Sequence, residues 1–338
     1  MQQRLVALLV VAVLAGFALG GQLLTAGAAD PAMERIPFQI ATGSTAGAFF
    51  PIGEAIAGLI SHPPGLNRCD TAPVCGPPGL IISARTSQGA VDNVTEVNNG
   101  DADSGLAQGD VIAAAVKGLP PFRGRATHLR VLASLYNEDI QLVVAARAKI
   151  KSPRDLHGKR LSLGDEGTGA DITLREILRA YRVAESSLKL VRPQGAGEVA
   201  LLQAGKLDGF LIVGDSRVSG LSDMIASGKA RLVPIEGPER DRLIKQAPSL
   251  MPAVIPAGLY PGQPGVQTVA TRAFWIVRDS VKDDLVFGIA RALFHPLNRA
   301  ALASSDPSGG EIRLSDAALN LPAPLHPGAA RFYKVARP

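Results

Sequence analysis

The sequence predicts an α/β protein of two βαβ lobes that enclose a central cleft and are joined by a double hinge. Three observations predict this fold class. Short β-like runs alternate with segments of helical period, which is typical of a largely parallel sheet covered by helices. Part of this pattern recurs later in the chain in the same order. The 338 residues are 46% apolar, which is enough for about two domains with their own cores.

The first lobe is predicted from its alternating elements. Strands are expected at 38–42, 80–84 and 104–108, and helices at 48–60, 91–97 and 111–116. One face of the first helix carries the apolar side chains Ile52, Ile56, Leu59 and Ile60. Two further apolar runs, 129–135 and 141–145, are separated by the polar stretch 136–139. We expect the chain to leave the first lobe at this polar stretch.

The second lobe is predicted from a repeat of the same pattern. A strand at 160–163, a turn at 164–169 and a helix at 172–181 follow in the same order as in the first lobe. The spacing of Gly100, Asp103, Gly109 and Asp110 recurs in Gly205, Asp208, Gly214 and Asp215, and Gln88-Gly89-Ala90 recurs as Gln194-Gly195-Ala196. Coincidence in loop composition would also produce short matches. Two matches in one order nevertheless favour two lobes of similar topology.

The chain is expected to cross between the lobes twice. One crossing is near 136–140 and the other near 267–270, after which a strand at 274–277 and a helix at 285–298 return to the first lobe. The predicted division is therefore a signal peptide at 1–28, lobe I at 30–139 plus 269–338, and lobe II at 140–268. Two lobes with a double hinge suit closure on a ligand by rigid-body motion.

The N-terminal segment predicts export through a membrane. Arg4 precedes an apolar run at 5–19, and the small residues Ala26 and Ala28 occupy positions −3 and −1 of a cleavage site after Ala28. This arrangement is typical of a secretory signal peptide. The alternative is a retained anchor, because the apolar run is close to the lower length limit for spanning a bilayer.

Export gives the two cysteines a meaning. Cys69 and Cys75 lie six positions apart in a stretch rich in proline and glycine. In an oxidising compartment this spacing favours a structural disulfide that holds a long loop, worth at most about 3 kcal/mol. Two free thiols are the alternative.

Charge and motif content exclude several function classes. The 35 basic and 30 acidic residues give a net charge of +5, but the charges are scattered, so no nucleic-acid footprint is predicted. The sequence contains no nucleophile elbow, zinc-protease, phosphate-loop or dinucleotide fingerprint. Its five histidines lack metal-ligand spacing. We therefore predict no catalytic residue, no cofactor and no metal site, and a protein that is not an enzyme.

Two glycine-rich loops are the candidate binding elements. Residues 42–47 precede the first helix, and residues 164–169 precede the corresponding helix of the second lobe. In open α/β sheets, ligands bind beyond the carboxyl ends of the strands, where helix N-termini offer unpaired N–H groups. With the hydroxyls of Ser44, Thr45 and Thr168, these loops suit a carboxylate or another small anion. The alternative is that each hydroxyl caps its own helix.

Four more side chains are candidates with an open alternative. Gln108 is either an amide contact for the ligand or a polar residue at the end of a strand. Asn93 either contacts ligand or caps its own helix. Tyr136, at the predicted hinge, either closes over a ligand or packs in the core. Asp215 either faces the cleft or is a solvated loop carboxylate.

Six segments, taken in order, carry a resemblance to a known family. They are Ala41-Thr-Gly-Ser-Thr-Ala-Gly47 with Pro51, Gly100-Asp-Ala-Asp-Ser-Gly-Leu-Ala-Gln-Gly-Asp-Val111, Leu132-Ala-Ser-Leu-Tyr136, Ile150-Lys-Ser-Pro-Arg-Asp-Leu-His-Gly-Lys-Arg160, Ile255-Pro-Ala-Gly-Leu-Tyr-Pro-Gly262 and Leu321-Pro-Ala-Pro-Leu-His-Pro-Gly-Ala329. In these segments the chain resembles the TAXI class of TRAP-transporter solute receptors, from about Ile36 to the C-terminus.

The resemblance implies a type II periplasmic-binding-protein fold and a receptor that hands a carboxylate solute to a TRAP permease. Glutamate, glutamine, 2-oxoglutarate and C4-dicarboxylates are the solutes it suggests. By motif position, it implies ligand contacts at Gly43, Ser44, Thr45, Gln88, Gly89, Asn93, Gln108, Tyr136, Gly167, Thr168 and Gly169. The chain departs from the family pattern at Ala90, Gly109 and Asp215, which puts the identity of the solute in doubt.

Three other functions fit the same sequence features. An ABC-importer receptor would use the same kind of cleft with a different permease. A ligand-binding sensor would contact a membrane kinase instead. An exported enzyme on this fold would need a nucleophile with its base, which the sequence does not display.

Overall fold

The computed structural model describes residues 34–45, 47–65, 74–162, 164, 168–193, 197–214 and 220–336. Five predictions concern residues outside these ranges, namely the signal peptide at 1–28, Cys69, Gly167, the repeated Gln194-Gly195-Ala196 and Asp215. The disulfide therefore stays a prediction, and its other half, Cys75, is a buried residue with 4% exposure.

The strands form a mixed sheet that runs through the whole described chain. They are β1 (Ile36–Ala41), β2 (Leu80–Arg85), β3 (Ser104–Gln108), β4 (Leu129–Ala145), β5 (Arg160–Ser162), β6 (Lys189–Val191), β7 (Gly209–Val213), β8 (Ala230–Val233), β9 (Met251–Ile255) and β10 (Val266–Arg278). Their order is β2-β1-β3-β10-β4-β7-β5-β6, with β8 paired to β4 and β9 paired to β10.

In the described ranges, seven helices lie between these strands in sequence, in keeping with the predicted alternation, and three more follow β10. They are α1 (Phe49–Ile60), α2 (Ala90–Asn99), α3 (Gly109–Lys117), α4 (Ala170–Ala180), α5 (Glu198–Gln203), α6 (Leu221–Ala226), α7 (Gly237–Gln246), α8 (Asp283–Leu293), α9 (Arg299–Ser305) and α10 (Pro327–Val335). In the part of the chain that the structure describes, no helix combines the length and apolarity that crossing a membrane requires.

Strands β4 and β10 are longer than the sequence predicts. The polar stretch 136–139 does not end a strand, because β4 is continuous from Leu129 to Ala145. Likewise, the crossing at 267–270 and the strand at 274–277 are one element. The two strands pair antiparallel, with Asp139 opposite Ala270 and Glu138 opposite Thr271. The backbone of the polar stretch is thus satisfied by a strand that is distant in sequence, so its polar side chains do not interrupt the ladder.

The prediction of a parallel sheet is therefore only partly correct. Strands β1, β2 and β3 are parallel, and so are β5, β6 and β7. The strand β10 is antiparallel to β3 and β4, and β4 is antiparallel to β7. These two antiparallel strands connect the two parallel sets.

Two hydrophobic cores lie along these crossing strands. The first core contains buried residues from 38–136 and 273–332, together with Ile172, and the second contains residues from 140–269. In the first core, Trp275 is fully buried and meets the Phe38 ring edge to face, with 6.4 Å between ring centroids. The lobe boundaries at 139/140 and 268/269 stay a prediction. The two hydrophobic cores divide the chain at similar positions, between 136 and 140 and between 269 and 273.

The repeated aspartates have matching roles in the two parallel sets. Asp103, before β3, accepts a hydrogen bond from the backbone N–H of Gln39 on β1 at 2.8 Å. Asp208, before β7, accepts one from the backbone N–H of Arg160 on β5 at 2.9 Å, and it also binds the Arg160 guanidinium. This ion pair lowers the pKa of Asp208. The sequence repeat thus marks equivalent strand-to-strand ties.

The helix predicted at 285–298 is shorter in the structure. The expected helix at 285–298 is α8, which ends at Leu293, followed by a separate 3-10 turn at Pro296–Asn298. Proline lacks a backbone N–H and disfavours helical geometry in the preceding residue, which accounts for this break. Residues of α8 and α10 are part of the first core.

We predict that Gln141→Leu lowers the free energy of unfolding by about 2–4 kcal/mol. Gln141 is fully buried on β4, where its amide donates to Gly214 O at 2.8 Å and accepts from the Tyr260 hydroxyl at 2.8 Å. The leucine would leave both partners without this bond. Urea unfolding of the single variant and of Gln141→Leu/Tyr260→Phe measures the effect. Additive losses in the double variant would contradict the coupling expected from a shared hydrogen bond.

Candidate functional site

The first glycine-rich loop follows the carboxyl end of β1. Thr42 is fully buried and its hydroxyl donates to Arg85 O at 2.7 Å, which fixes the start of the loop. Gly43 is buried, whereas Ser44 and Thr45 are exposed. Helix α1 has Ala48 as its N-cap, with no side-chain capping bond. Neither Ser44 nor Thr45 therefore caps this helix.

Asn93 ties the first two strands of the candidate site together. Its side chain is fully buried, and its amide nitrogen donates to Thr42 O at 2.5 Å and to Leu106 O at 2.7 Å. Its amide oxygen accepts from the Ser87 hydroxyl at 2.6 Å. Asn93 does not cap α2, whose N-cap is Gly89. With its polar atoms engaged in the fold, Asn93 positions the carboxyl ends of β1 and β3.

Gln88 and Gly89 lie at the start of α2. Gly89 has a φ of +131°, a conformation that favours glycine, and its N–H donates to the Ser87 hydroxyl at 3.1 Å. Gln88 is exposed, and its backbone N–H donates to Asp92 at 3.2 Å. The Gln88 side chain therefore lies at the surface of this helix start.

Gln108 is the clearest candidate contact in the first half of the site. It is the last residue of β3 and is 8% exposed. Its side-chain oxygen is buried and has no hydrogen-bond partner among the described residues. A buried acceptor without a partner lowers the stability of the fold by about 1–3 kcal/mol. The Gln108 side-chain oxygen is therefore available to accept a hydrogen bond from a ligand.

The second glycine-rich loop approaches Gln108. Gly169 is the N-cap of α4, and a Cβ added there would lie 2.6 Å from Val111 Cγ2 and 3.2 Å from Gln108 Oε1. Only glycine permits this approach. The start of α4 therefore lies against the junction of β3 and α3.

Two other described residues of this loop, Gly164 and Thr168, lie close to each other. Gly164 has a φ of +73°, and a Cβ at this residue would lie 2.8 Å from the Thr168 hydroxyl oxygen. Helix α4 has no side-chain capping bond, so Thr168 does not serve as its cap.

Tyr136 lies within β4 and is 1% exposed. Its ring belongs to the first hydrophobic core. Of the two interpretations that the sequence left open for Tyr136, core packing describes its position.

The structure also identifies residues that the sequence did not single out as site residues. Asp110, in the first turn of α3, is 4% exposed, and its two carboxyl oxygens accept from the hydroxyls of Thr173 and Thr271. Burial raises the pKa of Asp110, although both hydroxyls and two backbone N–H groups act in the opposite direction. An acidic residue in a first helical turn is common, so only its distant partners distinguish it.

Arg272 is a second buried ionisable group near the crossing. Its guanidinium donates to Ser134 at 2.7 Å, Asn137 at 3.0 Å and Leu135 O at 3.4 Å. Burial lowers the pKa of Arg272, and the carboxylates of Asp316 and Glu311 partly offset this. Arg272 thus joins β10 to β4 and the C-terminal segment.

A family model described as NMT1-like matches residues 40–335 of the chain. The structure of MatC (Rpa3494) from Rhodopseudomonas palustris with bound malate is similar, with a TM-score of 0.52 and 16% identity, and the match covers 89% of this chain and 99% of that chain. A structure described as a periplasmic transporter matches with a TM-score of 0.50 and 14% identity, over 89% and 94% of the two chains. The alkanesulfonate-binding protein SsuA from Xanthomonas axonopodis pv. citri, bound to MOPS, matches with a TM-score of 0.47 and 15% identity, over 90% and 85%.

At these identities the likeness to solved structures establishes the fold. The fold is the type II periplasmic-binding-protein fold, which confirms the predicted fold class.

We predict that Asn93→Ala lowers the free energy of unfolding by about 2–4 kcal/mol, because Thr42 O and Leu106 O would both lose a buried donor. Chemical unfolding of the mature chain measures this loss. Thr95→Ala, on the exposed side of the same helix, is the matched control and should change stability by less than about 0.5 kcal/mol. Equal effects of the two substitutions would contradict the tie.

Proposed function

The chain belongs to the NMT1-like family, and from its fold and cleft geometry we propose that it is an extracytoplasmic solute-binding receptor. The observation that carries this proposal is the approach of the α4 start to Gln108. That approach brings Gly169 of the second glycine-rich loop to a buried amide oxygen that has no hydrogen-bond partner among the described residues. Ligand contacts are proposed at the residues named from the sequence, with Asn93 acting mainly by positioning strands and Tyr136 mainly by packing in the first core.

The proposed ligand is a small carboxylate. Helices α1, α2 and α4 start without a side-chain capping bond, so their first N–H groups are not satisfied by their own caps, whereas at α3 the Asp110 carboxyl group engages the first backbone N–H groups. Unsatisfied N–H groups at a helix start stabilise an anion together with the helix dipole. The exposed hydroxyls of Ser44 and Thr45 add donors. The malate bound to MatC belongs to the same ligand class.

The proposed partner is the permease of a TRAP-type transporter, on the strength of the six TAXI-like segments. The proposed location is the periplasm, reached by a signal cleaved after Ala28. A disulfide between Cys69 and Cys75, two lobes with the predicted boundaries, and a binding rather than catalytic role complete the proposal. An ABC-importer receptor is the alternative within the same class, and the neighbouring permease gene distinguishes the two.

We expect at least one small carboxylate to raise the melting temperature of the mature protein. The panel contains L-malate, succinate, 2-oxoglutarate, L-glutamate and L-glutamine, with the uncharged malamide as a control. A ligand present at 100 times its Kd stabilises the folded state by about 2.7 kcal/mol. A flat response to every carboxylate, or an equal response to malamide, would count against the proposed ligand class.

We further expect Thr45→Ala and Gln108→Ala to weaken binding of the active carboxylate by about 2- to 10-fold, since each removes one polar contact. Isothermal titration measures the affinity, and circular dichroism checks that the variants are folded. Thr95→Ala removes a comparable exposed hydroxyl from α2 and serves as the control. Wild-type affinity in both site variants would refute the proposed contacts.

A further inference from the structure

Asp110 connects three elements that are far apart in sequence. Its Oδ2 accepts a hydrogen bond from the Thr173 hydroxyl on α4 at 2.5 Å, across 63 residues of chain. Its Oδ1 accepts from the Thr271 hydroxyl on β10 at 3.2 Å, across 161 residues. All three side chains are buried, with exposures of 4%, 1% and 0%. When a carboxyl group is ionised, hydrogen bonds to it are stronger than those between neutral groups.

The Thr173 side of this connection leads directly to the candidate site. The Thr173 hydroxyl is also 3.4 Å from Gly169 O. The backbone N–H of Thr173 donates to the same oxygen at 3.2 Å. Gly169 is the residue that packs against Val111 and Gln108. Asp110 therefore holds the first turn of α4, whose N-cap Gly169 faces the Gln108 side-chain oxygen.

Beyond this point the packing between the two helices is incomplete. A cavity of about 360 Å³ is lined by Asp110, Ala114 and Lys117 of α3, by Ile172 and Glu176 of α4, and by residues 246–249 and 320–322. Ile172 packs in the first core, and the Asp110 hydrogen bond lies between these apolar contacts and the cavity.

We propose that Asp110 is a closure latch, a positioning residue that holds the α4 start against Gln108 through Thr173. Thr271 orients the carboxyl group from the strand β10, so that its second oxygen faces α4. The latch rests on the proposed solute-binding function, because it acts on the two halves of that cleft. It assigns to Asp110 a role in affinity that acts through Thr173 and the start of α4.

The test compares Thr173→Val, which removes the hydroxyl at nearly constant shape, with Thr173→Ser, which retains it. Thr268→Val is the matched control, since Thr268 is also buried and its hydroxyl donates to Ile140 O within the second core, away from Asp110. Small-angle scattering of the ligand-free mature protein reports the separation of the halves. Titration with L-malate reports affinity.

Thr173→Val should increase the radius of gyration and weaken L-malate binding by about tenfold. Thr173→Ser and Thr268→Val should match the wild type in both measurements. The latch is overturned if Thr173→Val keeps the wild-type radius and affinity, if Thr173→Ser behaves as the valine variant does, or if Thr268→Val has the same effect. If the wild type does not bind L-malate, the proposed ligand is wrong. The radius of gyration from scattering then tests the latch without the affinity measurement.

Discussion

The antiparallel pairing of β4 with β10 is the constraint on which the other features depend. Each strand passes from one hydrophobic core to the other, and the two pair from Leu129–Arg278 to Asp139–Ala270. Strand β10 also pairs with β3, so the end of β3 at Gln108 is held opposite Ala273. Strand β4 continues into its pairing with β7. The position of each half of the cleft is therefore set by the same pair of strands.

This arrangement explains why polar and charged side chains are buried at the crossing. Between the two hydrophobic cores, the strands β4 and β10 pass through a region with few apolar contacts. The buried polar side chains Arg272, Gln141 and Glu138 lie in this region. Arg272 donates to Ser134, Asn137 and Leu135 O, and Gln141 bonds to Gly214 O and Tyr260. Such bonds are directional, so they specify the geometry of the crossing more closely than apolar contacts would.

The candidate site is built largely from backbone, amide and hydroxyl groups. Glycine at position 169 allows two helix starts to meet, and Asn93 sets the strand ends on the other side. The aromatic share of 4% agrees with such a site, because Tyr136 and Trp275 are occupied in the first core. The net charge of +5 is spread along the chain.

The sequence by itself determined the alternation of elements, the bounds of β3 and, to within a residue, the start of α1, because these follow from local periodicity. It also located both glycine-rich loops and the repeated aspartates. The tertiary structure alone decided that the stretch 136–139 continues a strand, that Asn93 ties two strands, and that Asp110 meets Thr173 and Thr271. Each of these depends on partners from 13 to 161 residues away, and the local pattern around a residue carries no information about which distant group will satisfy it.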